Sequence, residues 1–227
     1  IGIALIVVFM ILAYHFAGFI SAISIIIYTF ITILIFWLVG GVLTLPGIAA
    51  LVIGIGMAID ASILNFARIK DELYEGKSVK TANKHGNKNS FMTIFDANVT
   101  TLIVAIILFA LGESSVKGFA TMLIISIFVT MGIMVFVNRK ILNKFVETGV
   151  FDDKPKLFIG VNPKDIPDIK KGEKRTKNSF TKLDFVKYRH VFMILSSALI
   201  ILGAVVIATK GLKLGIDFKG GTSIDLI

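Results

Sequence analysis

Cysteine is absent from this chain of 227 residues, which excludes disulfide frameworks and thiolate metal sites. Histidine is scarce, and His15, His85 and His190 are scattered along the chain rather than grouped as metal ligands or a hydrolase motif. The sequence contains no glycine-rich ATP-binding loop. We therefore expect no metal, no cofactor and no enzymatic chemistry.

Charged residues are also few, at 17% of the chain, whereas 56% of residues are hydrophobic and the mean hydropathy is +0.87. These values are far from those of a soluble domain and predict an integral membrane protein. The chain begins at Ile1, within an apolar run, so we expect an upstream part and identify no signal peptide.

Six apolar runs organise the chain: residues 1–17, 21–39, 46–67, 94–111, 118–137 and 191–209. Each except the first approaches the roughly 20 residues that an α-helix needs to cross about 30 Å of hydrocarbon. The sequence thus predicts an all-α polytopic membrane protein with about six transmembrane helices. Tight turns are expected at residues 18–20, 40–45 and 112–117. The long polar connections are residues 68–93 and 138–190.

Basic residues indicate the side of the membrane on which the long connections lie. Residues 68–93 hold six Lys and Arg and residues 138–190 hold fourteen, together 20 of the 24 in the chain. Because Lys and Arg near helix ends favour the cytoplasmic side, we expect both connections in the cytoplasm. The net charge of +9 then reflects topology and ordinary attraction to anionic lipid, and we expect no nucleic-acid partner.

Two carboxylates stand inside apolar runs, where ionisation costs about 2.5 to 3.5 kcal/mol on the insertion scale. Of fifteen Asp and Glu residues, only Asp60, in "GIGMAIDASILNF", and Asp96 are so placed. Asp60 precedes Arg68 by eight residues and Asp96 follows Ser90 by six, so each lies roughly 10 Å inside the cytoplasmic boundary. We expect similar depths for the two carboxylates in an antiparallel helix pair.

A helical wheel of residues 47–67 predicts the direction of Asp60. One bulky face suits contact with lipid and consists of Ile48, Val52, Ile55, Ile59, Ile63 and Phe66. A second arc holds Asp60 together with the small residues Ala49, Gly56 and Ala67. A third arc, also of small residues, holds Gly47, Ala50, Gly54, Ala58, Ala61 and Asn65. Because small residues let helix backbones approach, the two arcs predict a helix packed on two sides, with Asp60 facing protein or a cavity.

The following helix carries its own polar arc, formed by Thr93, Asp96 and Thr100. Two functions remain open for both aspartates: a structural hydrogen bond to a neighbouring helix, or binding and release of a proton as access alternates. Asn or Ser would make a structural bond without the ionisation penalty, which favours proton binding at Asp60. For Asp96 the two interpretations have equal support.

Three long stretches of this sequence resemble one known family. "GIAALVIGIGMAIDASILNFARIKDEL" resembles the fourth helix of SecD, and "TIFDANVTTLIVAIILFALGESSVKGFATMLIISI" resembles its fifth and sixth helices. "LDFVKYRHVFMILSSALIILGAVVIATKGLKLGIDFKGGTSIDL" resembles the start of SecF. Together they cover most of residues 46–138 and 183–227, in the order of a fused SecDF protein of the resistance-nodulation-division (RND) superfamily.

The resemblance implies a division of the chain into four parts. Residues 1–137 correspond to the last five helices of the SecD half, the first of them truncated, and residues 138–190 to a cytoplasmic basic linker. Residues 191–209 correspond to the first SecF helix. Residues 210–227 correspond to the truncated β-strand start of an extracytoplasmic domain.

The resemblance also implies roles for particular residues. In the family the fourth-helix aspartate is implicated in proton transport, and Asp60 occupies that place, while Asp96 matches the aspartate of the "DANVTTL" motif. Residues expected to support them by polarity or packing are Gly56, Ser62, Asn65, Thr93, Asn98 and Thr100. The usual "VDANVLIFERI" becomes "IDASILNFARI", in which Ser62 replaces Asn, Asn65 replaces an apolar residue and Ala67 replaces Glu. The family's partner Asp and Arg, in later SecF helices, lie beyond Ile227.

The segment "GIDFKGGT", residues 215–222, suits a tight turn between strands because it contains Gly220 and Gly221 in succession. No helix-forming run follows it, as a phosphate-binding loop would require. By resemblance, Asp217, Phe218 and the two glycines belong to the signature that opens the SecF external domain, with a role in coupling or folding.

The long connections give two further predictions. Residues 70–92 predict a short interfacial helix with Val79 and Ala82 toward lipid and a break at Gly86. Residues 150–182 hold three of the four prolines and many lysines, which predicts a flexible tether.

The resemblance implies a multi-pass protein of the bacterial cytoplasmic membrane that assists the Sec preprotein translocase, using the proton gradient and no bound cofactor. Its expected partners are the Sec translocon channel with its associated subunits, a translocating preprotein and the lipid bilayer. Two alternatives are an RND-type exporter of drugs or lipids and a scaffold that stabilises the translocon without transporting protons.

Overall fold

The computed structural model describes residues 2–167 and 188–211. All regular secondary structure in these two ranges is helical. The predicted strands near the C-terminus lie outside the described residues, as do the motif residues Asp217, Phe218, Gly220 and Gly221.

Seven α-helices are described. They are α1 (Gly2–Leu38), α2 (Leu45–Tyr74), α3 (Val79–Leu111), α4 (Ser114–Val129), α5 (Asn138–Glu147), α6 (Pro155–Ile159) and α7 (Arg189–Lys210). A π-helix, Thr130–Val137, joins α4 to α5, and a 3₁₀ turn spans Pro163–Asp165. The chain divides into two compact units, Ile1–Thr176 and Lys177–Ile227, and α7 belongs to the second.

Five helical stretches in the described ranges have the length and apolar composition needed to cross a membrane. They are Gly2–Leu38, Leu45–Tyr74, Val79–Leu111, Ser115–Glu147 and Arg189–Lys210. The prediction of an all-α polytopic membrane protein is confirmed. The count differs from the predicted six because Gly2–Leu38 is counted as one stretch, although it consists of two helices joined at a kink at His15.

Helix α1 reverses direction at His15, whose φ of 49° and ψ of −121° are not helical. The chain then folds back on itself so closely that a Cβ at Gly18 would lie 1.9 Å from the carbonyl oxygen of Met10. The tight turn predicted at residues 18–20 is therefore wrong. Gly18 is instead the glycine that lets the two arms touch. Lys70 Nζ donates to the Ala13 carbonyl at 3.3 Å, which satisfies an oxygen at the break.

The connection between α2 and α3 is a short turn, residues 75–78, rather than an interfacial helix. We call this turn, with the helix ends beside it, the α2–α3 tip. Val79 and Ala82 are buried, at 2% and 0% exposure, so the prediction that they face lipid is wrong. Gly86 does not break α3. A Cβ there would lie 2.8 Å from the Ile69 amide nitrogen, so Gly86 allows close contact with α2.

Glu72 holds this tip together. Its carboxylate accepts hydrogen bonds from Lys77 and, at 2.9 Å, from Asn89 Nδ2. Hydrogen bonds to Glu72 and Glu75 raise the pKa of Lys77 above its usual value. Lys77 therefore stays protonated, and the pair stays formed, across the physiological pH range.

The π-helix changes the register between α4 and α5, so that two consecutive polar residues are buried against different helices. Asn138 Nδ2 donates to Ser21 Oγ on α1 at 2.9 Å. Arg139 Nη2 donates to Ser90 Oγ on α3 at 2.9 Å. Asn138 and Arg139 are 1% and 8% exposed.

Part of the predicted tether is a packed cap. Phe158, Ile159 and Val161 are fully buried, and α6 lies against the hairpin end of α1. Gly160, at φ 79°, sits so close to the turn that a Cβ would lie 3.0 Å from His15 Nδ1. The prediction of a flexible tether is wrong for residues 151–161. Residues 168–187 lie outside the described ranges.

Helix α2 packs through its third arc. All six members of that arc are buried: Gly47, Ala50, Gly54, Ala58, Ala61 and Asn65. The predicted lipid face holds for Ile48 and Val52, which are 48% and 63% exposed. It is wrong for three other members, Ile55, Ile59 and Phe66, which are buried. Their side chains reach the core because neighbouring helices approach the small-residue arc beside them.

Two glycines of α2 allow a matched test of this packing. A Cβ at Gly54 would lie 2.5 Å from Ser126 Oγ and 2.7 Å from Tyr28 Oη, whereas one at Gly56 would meet no atom within 4 Å. We expect Gly54→Ala to lower the free energy of unfolding by about 1–3 kcal/mol through overpacking. Gly56→Ala should leave it unchanged or raise it slightly. Thermal unfolding in detergent measures both, and equal stability of the two variants would contradict the assigned packing.

Candidate functional site

Asp60 lines an open groove of about 340 Å³ between α2 and α3. Helix α2 contributes Met57, Asp60, Ala61 and Leu64. Helix α3 contributes Thr93, Ile94, Ala97, Asn98 and Thr101. One of the two surroundings predicted for Asp60, a cavity, is thus present beside it.

The arc of α2 that carries Asp60 forms an open face of the first unit. Ala49, Gly56, Asp60 and Ala67 are all exposed, in contrast to the buried arc of small residues. The helix is therefore packed on one side only within the described residues. A carboxylate on such a face is costly in hydrocarbon, so water or further polypeptide must cover it in the membrane.

The three residues of the predicted polar arc of α3 do not share one surrounding. Thr93 lines the groove, whereas Asp96 and Thr100 are exposed residues that do not. Thr101 lines it instead, although the sequence analysis did not name it. The spacing of Thr93, Ala97 and Thr101, four residues apart along one helical face, is the signal that could have identified it.

Thr100 and Thr101 are a natural pair for comparison. Thr100 Oγ1 donates to the Asp96 carbonyl at 2.9 Å, and Thr101 Oγ1 donates to the Ala97 carbonyl at 3.0 Å. Their local bonding is therefore the same, and they differ in that Thr101 alone faces the groove.

A buried hydrogen-bonded chain lies beside the groove, toward the end of α2 and α3 where the two helices are connected. Ser90 Oγ donates to Asn65 Oδ1 at 2.7 Å and accepts from Arg139 Nη2 at 2.9 Å. Arg139 Nη1 also donates to the Asn87 carbonyl at 2.8 Å. Asn65, an unusual residue in the motif, thus connects α2 to α3 and α5. Arg139 was not among the predicted site residues, because residues 138–190 were expected to form the linker.

The supporting residues of the motif have different surroundings. Ser62 is 2% exposed and its Oγ has no hydrogen-bond partner within the described residues. Asn98 Nδ2 donates to the Ile94 carbonyl at 2.7 Å, whereas its Oδ1 is buried without a partner in the same ranges. Gly56 provides open space on the face of Asp60.

The charges near the groove are not paired with one another. Ion pairs near the α2–α3 tip join Arg68 to Asp71, Lys77 to Glu72 and Glu75, and His85 to Glu72. Asp60 and Arg139 form no ion pair within residues 2–167 and 188–211. The same ranges contain no group of three His, Cys, Asp or Glu residues that could hold a metal ion.

Family models match both ends of this chain. Residues 1–148 match the C-terminal domain of the protein export membrane proteins SecD and SecF. Residues 205–226 match the SecD/SecF GG motif, a range that includes Asp217, Phe218, Gly220 and Gly221.

Individual relatives give the same result. The chain is 47% identical to the protein translocase subunit SecDF of Bacillus subtilis over 228 residues, which is 100% of this chain and 31% of that protein. It is 44% identical to the protein translocase subunit SecD of Alicyclobacillus acidocaldarius over 146 residues, 64% of this chain and 34% of the relative. The chain therefore spans about a third of the length of the curated relatives it matches.

Two solved structures have a similar fold. The crystal structure of SecDF from Thermus thermophilus, described as a translocon-associated membrane protein, matches with a TM-score of 0.79 at 26% identity, covering 97% of this chain and 28% of that one. SecDF in its super-membrane-facing form matches with a TM-score of 0.73 at 27% identity, covering 96% and 27%. The helices, the GG motif and these relatives agree, and the chain belongs to the SecD/SecF family of protein export membrane proteins.

Proposed function

We propose that this chain is the part of a SecDF-type accessory subunit that couples bacterial protein export to the proton gradient, with Asp60 as the proton-binding group. The observation that carries the proposal is the position of Asp60, a carboxylate in a membrane span, on an open groove and without an ion-pair partner in the described part of the chain. In the membrane, such a carboxyl group is stable when it is protonated and neutral. It is stable as a carboxylate when water or a positive charge lies next to it.

The proton gradient supplies enough energy for this role. A charge that crosses the whole membrane contributes about 2.3 kcal/mol per 100 mV of potential. A difference of that size shifts a two-state conformational equilibrium by more than about tenfold. Loading and release of a proton at Asp60 can therefore bias one arrangement of the helices over another.

The open face of α2 is where we place the second half of the coupling device. Small residues at Ala49, Gly56 and Ala67 allow another helix to approach closely, and Asp60 stands among them. The later SecF helices are the proposed occupants of this face, because the family resemblance puts an acidic residue and an arginine there. Asp96, exposed on the neighbouring helix, is proposed as a second polar element.

The same proposal assigns roles to α7, to the basic linker before it and to residues 210–227. Helix α7 is assigned as the first SecF helix, joined to the SecD half by the basic linker, and residues 210–227 begin an extracytoplasmic domain. The proposed partners are the Sec translocon and a translocating preprotein, in the cytoplasmic membrane. An RND-type exporter is less well supported, because the relatives and solved structures described above are SecD and SecDF proteins.

Replacement of Asp60 separates a proton-coupled device from a passive scaffold. In full-length protein, Asp60→Asn removes the titratable proton and keeps the side-chain size, so we expect loss of gradient-dependent preprotein export at unchanged expression. Export into membrane vesicles with and without an imposed pH difference measures this. Asp96→Asn is the matched variant at similar depth, and we expect it to retain more of the gradient-dependent export. A scaffold would keep full export with Asp60→Asn, and that result would contradict the proposal.

A further inference from the structure

The inward side of α3 carries a row of polar side chains that leads from its cytoplasmic end toward Asp60. The row consists of Asn83, Asn87, Ser90 and Asn98. Three of them are buried, with exposures of 3% for Asn83, 0% for Ser90 and 8% for Asn98. Asn98 lies within the apolar run 94–111, and buried Ile94 separates it from Ser90. Buried polar side chains are costly unless they have partners, so their presence on this face calls for a physical reason.

The row begins at a second cavity, of about 350 Å³, between α3 and α5. Lysines and asparagines dominate its lining, which is Lys80, Asn83, Lys84, Asn87, Asn143, Val146 and Glu147. Asn143 Oδ1 accepts from Asn83 Nδ2 at 2.5 Å and from Asn87 Nδ2 at 2.9 Å. By the distribution of basic residues, this cavity opens toward the cytoplasm.

The row ends at the Asp60 groove, where Asn98 and Thr93 contribute to the lining. Between the two cavities lies Arg139, whose guanidinium donates to the Asn87 carbonyl and to Ser90 Oγ. Its Cζ lies 5.8 Å from the centre of the Phe91 ring. Arg139 is thus held by neutral groups, and no carboxylate of the described residues pairs with it.

Two atoms of the row are buried without a hydrogen-bond partner in the described ranges, Asn87 Oδ1 and Asn98 Oδ1. Asn87 lines the cytoplasmic cavity and Asn98 lines the Asp60 groove, so one such atom stands at each end. Buried carbonyl oxygens that protein leaves unpaired are ordinarily bonded to ordered water, given room for it. Both residues line cavities far larger than one water molecule, and rotation of each side-chain amide would bring its oxygen to water there.

We propose that protons move between the cytoplasm and Asp60 along a hydrated route on this face of α3, and that Arg139 closes the route between its two cavities. Water carries the proton, and the Asp60 carboxylate accepts it to become the neutral acid. A fixed guanidinium charge repels a hydrated proton, as cationic side chains do in pores that exclude protons. The inference rests on the proposed role of Asp60, and adds the side of access and the residue that controls it.

Cysteine accessibility tests the hydrated route, because this stretch has no cysteine of its own. In full-length protein free of other cysteines and carrying Arg139→Gln, which removes the closing charge, Asn98→Cys and Thr101→Cys should react with a membrane-impermeant cationic methanethiosulfonate added from the cytoplasmic side. With Arg139 in place, the same two cysteines should react several-fold more slowly. Thr100→Cys is the matched control, because Thr100 has the same local hydrogen bond but faces away from the groove. Equal reactivity of Thr100→Cys and Thr101→Cys, or no reaction at Asn98→Cys, would overturn the route.

Replacement of Arg139 tests the closure. In proteoliposomes of full-length protein with a pH-sensitive dye inside, Arg139→Gln should increase passive proton flux several-fold over the parent, whereas Arg139→Lys should keep it low. Ser90→Ala, a smaller change, should give an intermediate flux because Arg139 loses one acceptor. Flux unchanged in both Arg139→Gln and Ser90→Ala would overturn the assignment of Arg139.

The two proposals fail in different ways. If Asp60→Asn leaves gradient-driven export intact, the proposed function is contradicted whatever the labelling shows. If Asp60→Asn abolishes export while Asn98→Cys stays unlabelled from the cytoplasmic side, the function stands and the route along α3 is wrong.

Discussion

Helix α2 packs into the bundle through one arc of small residues. This close packing determines how the neighbouring helices approach and in which direction Asp60 points. Side chains as small as Gly54 let Tyr28 and Ser126 approach the α2 backbone. Because that arc is used for packing inside the bundle, the arc that carries Asp60 points outward to the groove. The carboxylate is therefore held on a rigid helix, yet stays accessible to water or to another helix. Both conditions are needed for a group that gains and loses a proton.

Polar side chains serve as ties between helices in this bundle. Lipid offers little hydrophobic force between helices, so packing and interhelical hydrogen bonds must hold them together. Asn138 bonds to α1, and Arg139, Ser90 and Asn65 connect α5, α3 and α2. The Arg139, Ser90 and Asn65 ties lie closer to the α2–α3 connection than the Asp60 groove does. The bundle is thus fixed beside the groove and open at it, an arrangement compatible with movement around Asp60.

The sequence predicted the helical class and the approximate positions of the apolar spans in α2 to α4, because hydropathy and length determine those features. It failed where a glycine could either break or pack a helix. Gly86 was expected to end a helix and Gly18 to lie in a turn. Gly86 instead permits close contact with Ile69 of α2, and Gly18 permits contact with Met10 on the other arm of α1. Arg139 was missed for a similar reason, since its partners Ser90 and Asn87 become neighbours only in the folded bundle. The position of Thr101 on the groove, in contrast, could have been predicted from a helical wheel of α3.

The proposed function requires that Asp60 bind and release a proton during gradient-driven export. Infrared difference spectroscopy of the full-length protein measures this change in protonation. The account predicts a carboxyl C=O band that changes when a pH difference is imposed and that is absent from Asp60→Asn. A carboxyl group that stays in one protonation state throughout the working pH range, with or without the gradient, would contradict the account.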